Sequence, residues 1–267
     1  MRIAIMGAGG IGGYYGGLLA RAGNDVTFIA RGAHLAAIQQ GGLRVESVHG
    51  DFQIHPAQAT DDPVEVGPVD LVLVSVKTYD LGAAAQATRP LVGPETVVLP
   101  LLNGLDAAER MAAELGEEPV FAGLTHISSA IAGPGLVRQI SPLRRITFGE
   151  QSGEITPRAE RIRDVLDESG IEAVLTPAID VALWEKFIFI ASISGVCCLS
   201  RQPVGVVVAM PELRGLYEDA LREVEAVARA RGVSLAPGIV ERTLQMTEGF
   251  TPQTKPSLLV SLEAGQR

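Results

Sequence analysis

The chain is poor in cysteine and in basic charge. Its two cysteines, Cys197 and Cys198, are adjacent in sequence, which favours neither a stable disulfide nor a metal site. We therefore predict that they are small core residues in a reducing, cytoplasmic compartment. The 22 Lys and Arg residues stand against 31 Asp and Glu residues, a net charge of −9. This balance argues against a nucleic-acid partner, whereas an anionic small ligand needs only a local positive pocket.

Signals for secretion, membrane insertion and metal binding are also missing from the pattern. The chain begins with the strand-like segment MRIAIMG, without a basic region, an apolar region and a cleavage site, so we expect no secretory signal. The apolar run 187–199 is too short to cross a bilayer and predicts a buried helix, with no membrane partner. None of the four histidines has a metal-ligand partner at a useful spacing, and His126, in an apolar strand, is expected in the core.

The first half of the chain alternates short apolar strands with helical segments. Strands are predicted over 2–6, 25–30, 69–76 and 96–102, and helices through Leu18–Ala22, near 33–40 and near 80–90. This alternation indicates a doubly wound parallel sheet of the Rossmann type. The short strands between 119 and 150 are expected to complete the same sheet.

Strand patterns end after Pro177. Helices are predicted over 156–170, 178–200, 210–232 and roughly 236–248, from apolar spacing, Pro starts and Gly stops. We therefore predict an α/β protein with an N-terminal Rossmann-type doubly wound sheet, residues 1–175, and an all-helical C-terminal domain, residues 176–267.

A glycine-rich segment, MGAGGIGGYYGG, follows the first strand and opens a helix. Its spacing matches G-x-G-x-x-G at Gly7, Gly9 and Gly12, where glycines permit a tight turn and close approach of a pyrophosphate to the helix N-terminus. The position after the first strand makes this match specific, although a purely structural turn is the alternative. The predicted cofactor-binding residues of the loop are Gly7, Ala8, Gly9, Gly10, Ile11 and Gly12.

The end of the second strand, FIARG, indicates which dinucleotide binds. Sites for NAD usually have Asp or Glu there, to bind the ribose hydroxyls. Here Ala30 and Arg31 occupy the position, and a guanidinium suits a 2′-phosphate. We therefore predict NADP as the cofactor, the alternative being that Arg31 is a solvated surface residue.

Two polar residues end the next strands. Lys77 follows LVLVSV directly, at the sheet edge where ligands of open α/β sheets bind, and could contact the cofactor or be solvated. Asn103 ends LPLLNG, where its amide could hold the cofactor ribose or a substrate hydroxyl. Asn-Gly is also a common turn, so both interpretations stay open.

A lysine lies inside the most apolar stretch of the chain. From Val181 to Leu199 nearly every side chain is apolar, yet the segment LWEKFIFIASISGV places Glu185 and Lys186 within it. Lysine is rarely fully buried unless it is paired or functional. Its ammonium can also reach water while its stem packs, so these residues alone leave a structural and a catalytic role open.

In their order along the chain, these segments resemble one family. The loop GAGGIGG, then ARG, VSVKTYD, LLNG, GPGLVRQ with ITFGE, and a helix with WEK are similar to the 2-dehydropantoate 2-reductases, also called ketopantoate reductases. The glycine loop alone is shared by all Rossmann enzymes. The ordered set covers essentially the whole chain and is much more specific.

The resemblance implies an oxidoreductase that uses NADPH to reduce a 2-oxo acid, 2-dehydropantoate, to pantoate in pantothenate biosynthesis. It implies that Lys186 is the general acid and also contacts the substrate. It places Asn103 at cofactor and substrate, Ser257 at the substrate, and a backbone position near Ala130 at the cofactor. The chemistry agrees, because a lysine ammonium stabilises and protonates the alkoxide left by hydride delivery, and burial lowers its pKa toward the working range.

Two features depart from the family. One helical turn after the lysine, where the family commonly has an asparagine facing the substrate, this chain has Ile190, and Ser194 follows one turn later. With Ile190 and Ser194 at the substrate, we expect a more apolar pocket or a different 2-oxo acid. The family also has a glutamate further along the chain than Glu263, so we expect the helical domain to continue past Arg267.

Two other functions remain open from the sequence. One is a related β-hydroxyacid-type dehydrogenase acting on another 2-oxo acid, which Ile190 favours. The other is a non-catalytic NADP-binding sensor, which would keep the glycine loop and Arg31 without needing Lys186. Long apolar helix faces are compatible with a homodimer.

Overall fold

The structure, a computed structural model, describes residues 1–265 and divides into two compact units. The first unit is Met1–Ile179 and the second begins at Asp180, whereas the sequence places the boundary between 175 and 176. The strands, all in the first unit, are β1 (Arg2–Met6), β2 (Asp25–Ile29), β3 (Leu43–Glu46), β4 (Phe52–Ile54), β5 (Gln58–Thr60), β6 (Leu71–Val74), β7 (Val97–Pro100), β8 (Phe121–His126), β9 (Ser129–Gly133), β10 (Leu136–Gln139), β11 (Arg145–Glu150) and β12 (Glu172–Leu175).

The first unit contains five α-helices, and the regular elements of the second, within its described residues, are all helices. The helices of the first unit are α1 (Gly10–Arg21), α2 (Gly32–Gly41), α3 (Leu81–Thr88), α4 (Ala107–Leu115) and α5 (Pro157–Glu168). Those that follow are α6 (Ile179–Ser200), α7 (Val204–Ala209), α8 (Pro211–Ala230), α9 (Ile239–Glu248) and α10 (Ser257–Glu263). The predicted fold class, a Rossmann-type sheet followed by an all-helical part, is confirmed.

Five parallel strands form the main sheet, in the order β5-β2-β1-β6-β7. Both β6 and β7 are buried along their whole length, as expected for apolar strands that are covered on both faces. The register pairs Met6 with Ile29 on one side and with Val74 on the other, and Val74 with Pro100. The carboxyl ends of these four strands therefore lie side by side at one edge.

The short strands between 119 and 150 do not complete this sheet, so that prediction was wrong. Strands β9 and β10 join β3 and β4 in a separate four-stranded sheet, ordered β4-β3-β10-β9, and β8, β11 and β12 form a three-stranded sheet. The partners β3, β4 and β12 were not predicted. They are only three or four residues long; β3 and β4 alternate polar and apolar side chains and β12 has three apolar residues after Glu172, weak patterns over so few residues.

Helix α1 lies between the main sheet and the four-stranded sheet. A Cβ on Gly16 would lie 2.6 Å from the Phe28 ring of β2, and one on Gly17 would lie 3.1 Å from Phe52 of β4. Glycines on both faces let the two sheets approach the helix closely, while Tyr14 and Tyr15 are fully buried. This packing is why the first helix is almost entirely buried despite its many small residues.

Helix α6 provides the centre of the helical unit. Its Ile188, Ile193 and Val196 are buried in one cluster with Tyr217 and Leu221 of α8. By length and composition, α6 is the one helix among residues 1–265 that could cross a membrane, so the run judged too short from 187–199 belongs to a longer helix. This is weak evidence for a membrane span, because core helices of globular proteins pass the same test, and 33% of the apolar window of α6 is buried.

Candidate functional site

Four loops of the first unit meet at the carboxyl edge of the main sheet. Because β2, β1, β6 and β7 are neighbours in that order, Arg31, the glycine loop, Lys77 and Asn103 follow one another along this edge. Neighbouring strands lie about 4.8 Å apart, which brings these loops within the span of a dinucleotide. The structure therefore brings together the residues that the sequence assigned to the cofactor in these loops.

The glycine loop is shaped by contacts within the first unit. Gly7 has a φ of +97°, which favours glycine, and its carbonyl accepts a 2.8 Å hydrogen bond from the Ser75 hydroxyl at the end of β6. A Cβ on Gly12 would lie 2.2 Å from the same carbonyl, so only glycine fits there. Ser75 was missed at the sequence level, since a serine after a strand has no distinctive pattern.

One glycine of the loop faces open space. Gly9, the N-cap of α1, has no atom within 4 Å of where a Cβ would lie, and no side chain caps the helix. The first N–H groups of a helix have no partner within it, so those of Gly10, Ile11 and Gly12 are available to a phosphate. The open space beside Gly9 is therefore where a pyrophosphate can approach the helix N-terminus.

The start of α1 also contacts β9. A Cβ on Gly10 would lie 2.5 Å from the Ser129 carbonyl oxygen and 2.7 Å from the Cα of Ala130. The structure thus places Ala130, which the resemblance assigns to the cofactor, beside the glycine loop. The Ser129 hydroxyl is buried there without a hydrogen-bond partner among the described residues.

The cationic residues of this edge are exposed. Arg31 is the N-cap of α2, and no ion pair or side-chain hydrogen bond holds its guanidinium within residues 1–265. Lys77 precedes a short 3-10 helix, Thr78–Asp80, and is also exposed. Asn103 is exposed, so its amide is accessible to a ligand. It also precedes Gly104, whose φ of +112° belongs to a tight turn, so Asn103 lies in a turn as well.

His34, on the first turns of α2, joins two segments of this region. Its Nε2 lies 2.8 Å from the Ala8 carbonyl oxygen in the glycine loop. Its Nδ1 accepts a 3.1 Å hydrogen bond from the backbone N–H of Gly135, in the turn between β9 and β10. No role was predicted for His34 from the sequence, because its partners are 26 and 101 residues away along the chain.

The predicted catalytic lysine lies on α6 in the second unit. Lys186 is partly buried, and burial lowers its pKa from 10.5 to about 8. Ile190 lies one turn further along the helix and is also partly buried, and Ser194 is buried one turn beyond. The three residues therefore follow one face of α6, with the ammonium flanked by an apolar side chain.

The other predicted substrate residue, Ser257, is exposed at the first position of α10. Beside it, Lys255 pairs with Glu263 at 2.8 Å. The glutamate expected from the resemblance would follow Arg267 and lies outside the described residues. His126 is exposed at the end of β8, so the prediction that it belongs to the core was wrong.

Comparisons with known proteins cover both units. The family model Ketopantoate reductase PanE/ApbA matches residues 3–153, and the model of its C-terminal part matches 178–267. Over its whole length the chain is 31% identical to an uncharacterized oxidoreductase, YkpB, of Bacillus subtilis, covering 87% of that protein. It is also 31% identical to a 2-dehydropantoate 2-reductase of Halobacterium salinarum, covering 88% of that protein.

A solved structure shows the same similarity in three dimensions. The 2-dehydropantoate 2-reductase of Geobacter metallireducens is 36% identical, with a TM-score of 0.94. The match covers all of this chain and 88% of that protein.

Proposed function

The chain belongs to the ketopantoate reductase family, whose members are oxidoreductases, and from this premise we propose that it reduces 2-dehydropantoate to pantoate with NADPH. The observation that carries the proposal is the burial of Lys186 on α6, which lowers its pKa to about 8. A proton donor with a pKa near neutrality suits the reduction of a ketone, because the product oxygen must gain a proton. We place this activity in cytoplasmic pantothenate biosynthesis, with a small 2-oxo acid as partner.

The residues of the sheet edge fit a bound NADPH. The open position at Gly9 and the helix N-terminus suit the pyrophosphate, and the exposed guanidinium of Arg31 suits the 2′-phosphate. Lys77 adds a second positive charge, the side chain of Asn103 would hold the nicotinamide ribose or the substrate, and the backbone of Ala130 would contact the cofactor beside the glycine loop. When bound, NADPH supplies the hydride that reduces the substrate carbonyl.

Lys186 performs the proton chemistry in this proposal. As hydride adds to the carbonyl carbon, negative charge develops on the oxygen, and the ammonium stabilises it and donates a proton from Nζ. Partial burial strengthens this interaction because there is less water to screen it. Asn103 and Ser257 would orient the substrate by hydrogen bonds.

A second candidate activity is reduction of another 2-oxo acid. It is favoured by Ile190, which puts an apolar side chain one turn from the ammonium of Lys186, where the family commonly has an amide. A site with an apolar wall selects a substrate with a larger apolar group, whereas one with an amide selects hydroxyl groups. A non-catalytic sensor is the third candidate. The lowered pKa of Lys186 argues against it, because a sensor has no need of a proton donor.

The test is oxidation of NADPH by the full chain with 2-dehydropantoate, run beside 2-oxo acids that carry alkyl or aryl groups in place of its hydroxyl-bearing end. The highest kcat/KM with 2-dehydropantoate supports the proposal. A higher value with an apolar 2-oxo acid would favour the second candidate. Tight NADPH binding with no turnover on any substrate would favour the sensor.

A further inference from the structure

The ring of His34 is held at both nitrogens by backbone groups. Since the Ala8 carbonyl can only accept a hydrogen bond, Nε2 must carry a proton and donate. Since the Gly135 N–H can only donate, Nδ1 must be unprotonated and accept. Both bonds together require the neutral tautomer with hydrogen on Nε2, so the two partners fix its state as well as its orientation.

The bond from His34 to Ala8 connects the glycine loop with helix α2, the two segments that the phosphates of a dinucleotide would contact. Ala8 belongs to the glycine loop, and its own N–H donates to the Ile29 carbonyl at the end of β2. Arg31 begins α2, and His34 lies one helical turn later on the same helix. The hydrogen bond from His34 to Ala8 therefore ties the helix that carries Arg31 to the loop that would hold the pyrophosphate.

The start of α2 is held by the Ala30 N–H, which donates to the Thr60 carbonyl, and by Leu35, which is buried in the core. The link from β2 is only Ala30 and Arg31, and it is followed by Gly32, whose φ is +57°. Arg31 caps the helix without a side-chain hydrogen bond. The hydrogen bond from His34 to Ala8 runs from this helix to the glycine loop, so it contributes directly to the distance between Arg31 and that loop.

We propose that His34 is a positioning residue for cofactor selection, which holds Arg31 at the distance from the glycine loop that the 2′-phosphate requires. The proposal rests on the proposed NADPH dependence and extends it. His34 acts through Ala8 and Arg31 and need not touch the cofactor. Its bond to Gly135 keeps the ring in the plane and tautomer that allow the bond to Ala8.

The two bonds can be tested separately by substitution. The amide nitrogen of glutamine reaches about as far as Nε2, so His34→Gln keeps a donor for Ala8 and loses the acceptor for Gly135. Asparagine places an acceptor near the Nδ1 position, so His34→Asn keeps the Gly135 bond and loses the one to Ala8. His34→Phe fills the volume of the ring and loses both.

The measurement is direct titration of each full-length variant with NADPH and with NADH, together with kcat and KM. We expect His34→Phe and His34→Asn to lower the preference for NADPH over NADH about tenfold, and His34→Gln to retain most of it. The KM for NADPH should rise while kcat at saturating NADPH stays within about threefold. A merely structural role would not separate the two cofactors or be rescued by glutamine.

A double-mutant cycle completes the test. In an Arg31→Ala background, replacing His34 with asparagine should change the NADPH preference no further, because the group that His34 positions is gone. An unchanged preference in His34→Asn, equal effects of glutamine and asparagine, or additivity with Arg31→Ala would each overturn the proposal. A wild-type chain that binds NADPH but reduces no 2-oxo acid would contradict the proposed activity and leave the His34 comparison intact.

Discussion

A Cβ atom on Gly10 would lie 2.5 Å from the carbonyl oxygen of Ser129, so the first residue of α1 packs directly against the backbone of β9. The neighbouring Gly9 has open space at the same point. Two adjacent glycines of one motif therefore have different physical reasons for being glycine. Gly10 permits the four-stranded sheet to pack on the helix, and Gly9 leaves room for a ligand.

This difference predicts opposite phenotypes for two alanine substitutions. Gly10→Ala should lower the free energy of unfolding by about 1–3 kcal/mol, because the methyl group meets backbone atoms that have little freedom to shift. Gly9→Ala should cost less than about 1 kcal/mol, because its φ of −70° suits alanine and the only loss is that alanine is a poorer N-cap than glycine, and it should weaken NADPH binding about tenfold or more. Chemical denaturation and NADPH titration of the two variants measure both effects.

Each variant is the control for the other. Loss of stability in Gly9→Ala equal to that in Gly10→Ala would show that the open space is not present in solution. Unchanged NADPH affinity in Gly9→Ala would remove the pyrophosphate from this loop.

Arg31 should determine the choice between the two dinucleotides. Arg31→Ala removes an exposed guanidinium that has no protein partner among residues 1–265, so stability should change by less than about 0.5 kcal/mol. Affinity for NADPH should fall about tenfold or more, because a charge-assisted bond to the 2′-phosphate is lost, while affinity for NADH should change little. Titration with both cofactors gives the ratio.

Arg163→Ala on α5 is the matched control. Arg163 is partly exposed, and within residues 1–265 it pairs only with Asp164 and Glu160 on its own helix. It should leave both affinities unchanged. Equal losses for NADPH and NADH in Arg31→Ala would refute the 2′-phosphate contact.

The main sheet and its edge could be predicted from sequence because their signals are local. The buried strands of the main sheet are short runs of mostly apolar residues, and the cofactor candidates at its edge follow such runs within three residues, as Arg31 and Lys77 do. Lys186 was found because a charge stands out in an apolar stretch. These features depend on a few consecutive residues and on the rule that parallel strands end at one edge.

What escaped prediction depends on pairing between distant segments. The four-stranded sheet pairs β10 with β3 through Val137 and Val45, far apart in a chain whose short strands leave only weak patterns. The link between His34 and Gly135 follows from that pairing, and so does the contact of Gly10 with Ser129. The sequence around His34 predicts a helix correctly but contains no sign of what the imidazole contacts.

Lys186 should reduce the stability of the fold at neutral pH. Its pKa of about 8 lies below the unfolded value of 10.5, so below pH 8 both states are protonated and the cost of burying the ammonium is fully present. Lys186→Met replaces it with an apolar side chain of similar length and should stabilise the protein by about 1–3 kcal/mol at pH 7. Urea denaturation of the variant and the wild type measures the difference.

The pH dependence of that difference has a definite sign. Between pH 8 and 10.5 the unfolded state binds more protons than the folded state, so the wild type gains stability relative to Lys186→Met as the pH rises. The advantage of the variant should shrink across this window and vanish above it. A difference that is constant from pH 7 to pH 10 would show that Lys186 titrates alike in both states.

The same pKa predicts how the reaction rate depends on pH. Reduction requires the ammonium form of Lys186, so kcat/KM for reduction should be level below about pH 8 and fall about tenfold per pH unit above it. Oxidation of the hydroxy acid requires the neutral amine, so its kcat/KM should rise up to the same pH. Steady-state rates in both directions from pH 6 to pH 10 measure the two limbs of the profile, the fall for reduction and the rise for oxidation.

The variant Lys186→Ala tests whether this pH dependence comes from Lys186. We expect reduction to be slower by roughly 10²-fold or more, with NADPH binding unchanged and without the fall above pH 8. Ser200→Ala, a substitution on the same helix outside the residues assigned to substrate, should keep the wild-type profile, because among the described residues its hydroxyl bonds only to the Val196 carbonyl. If the limb near pH 8 persists in Lys186→Ala, another group donates the proton.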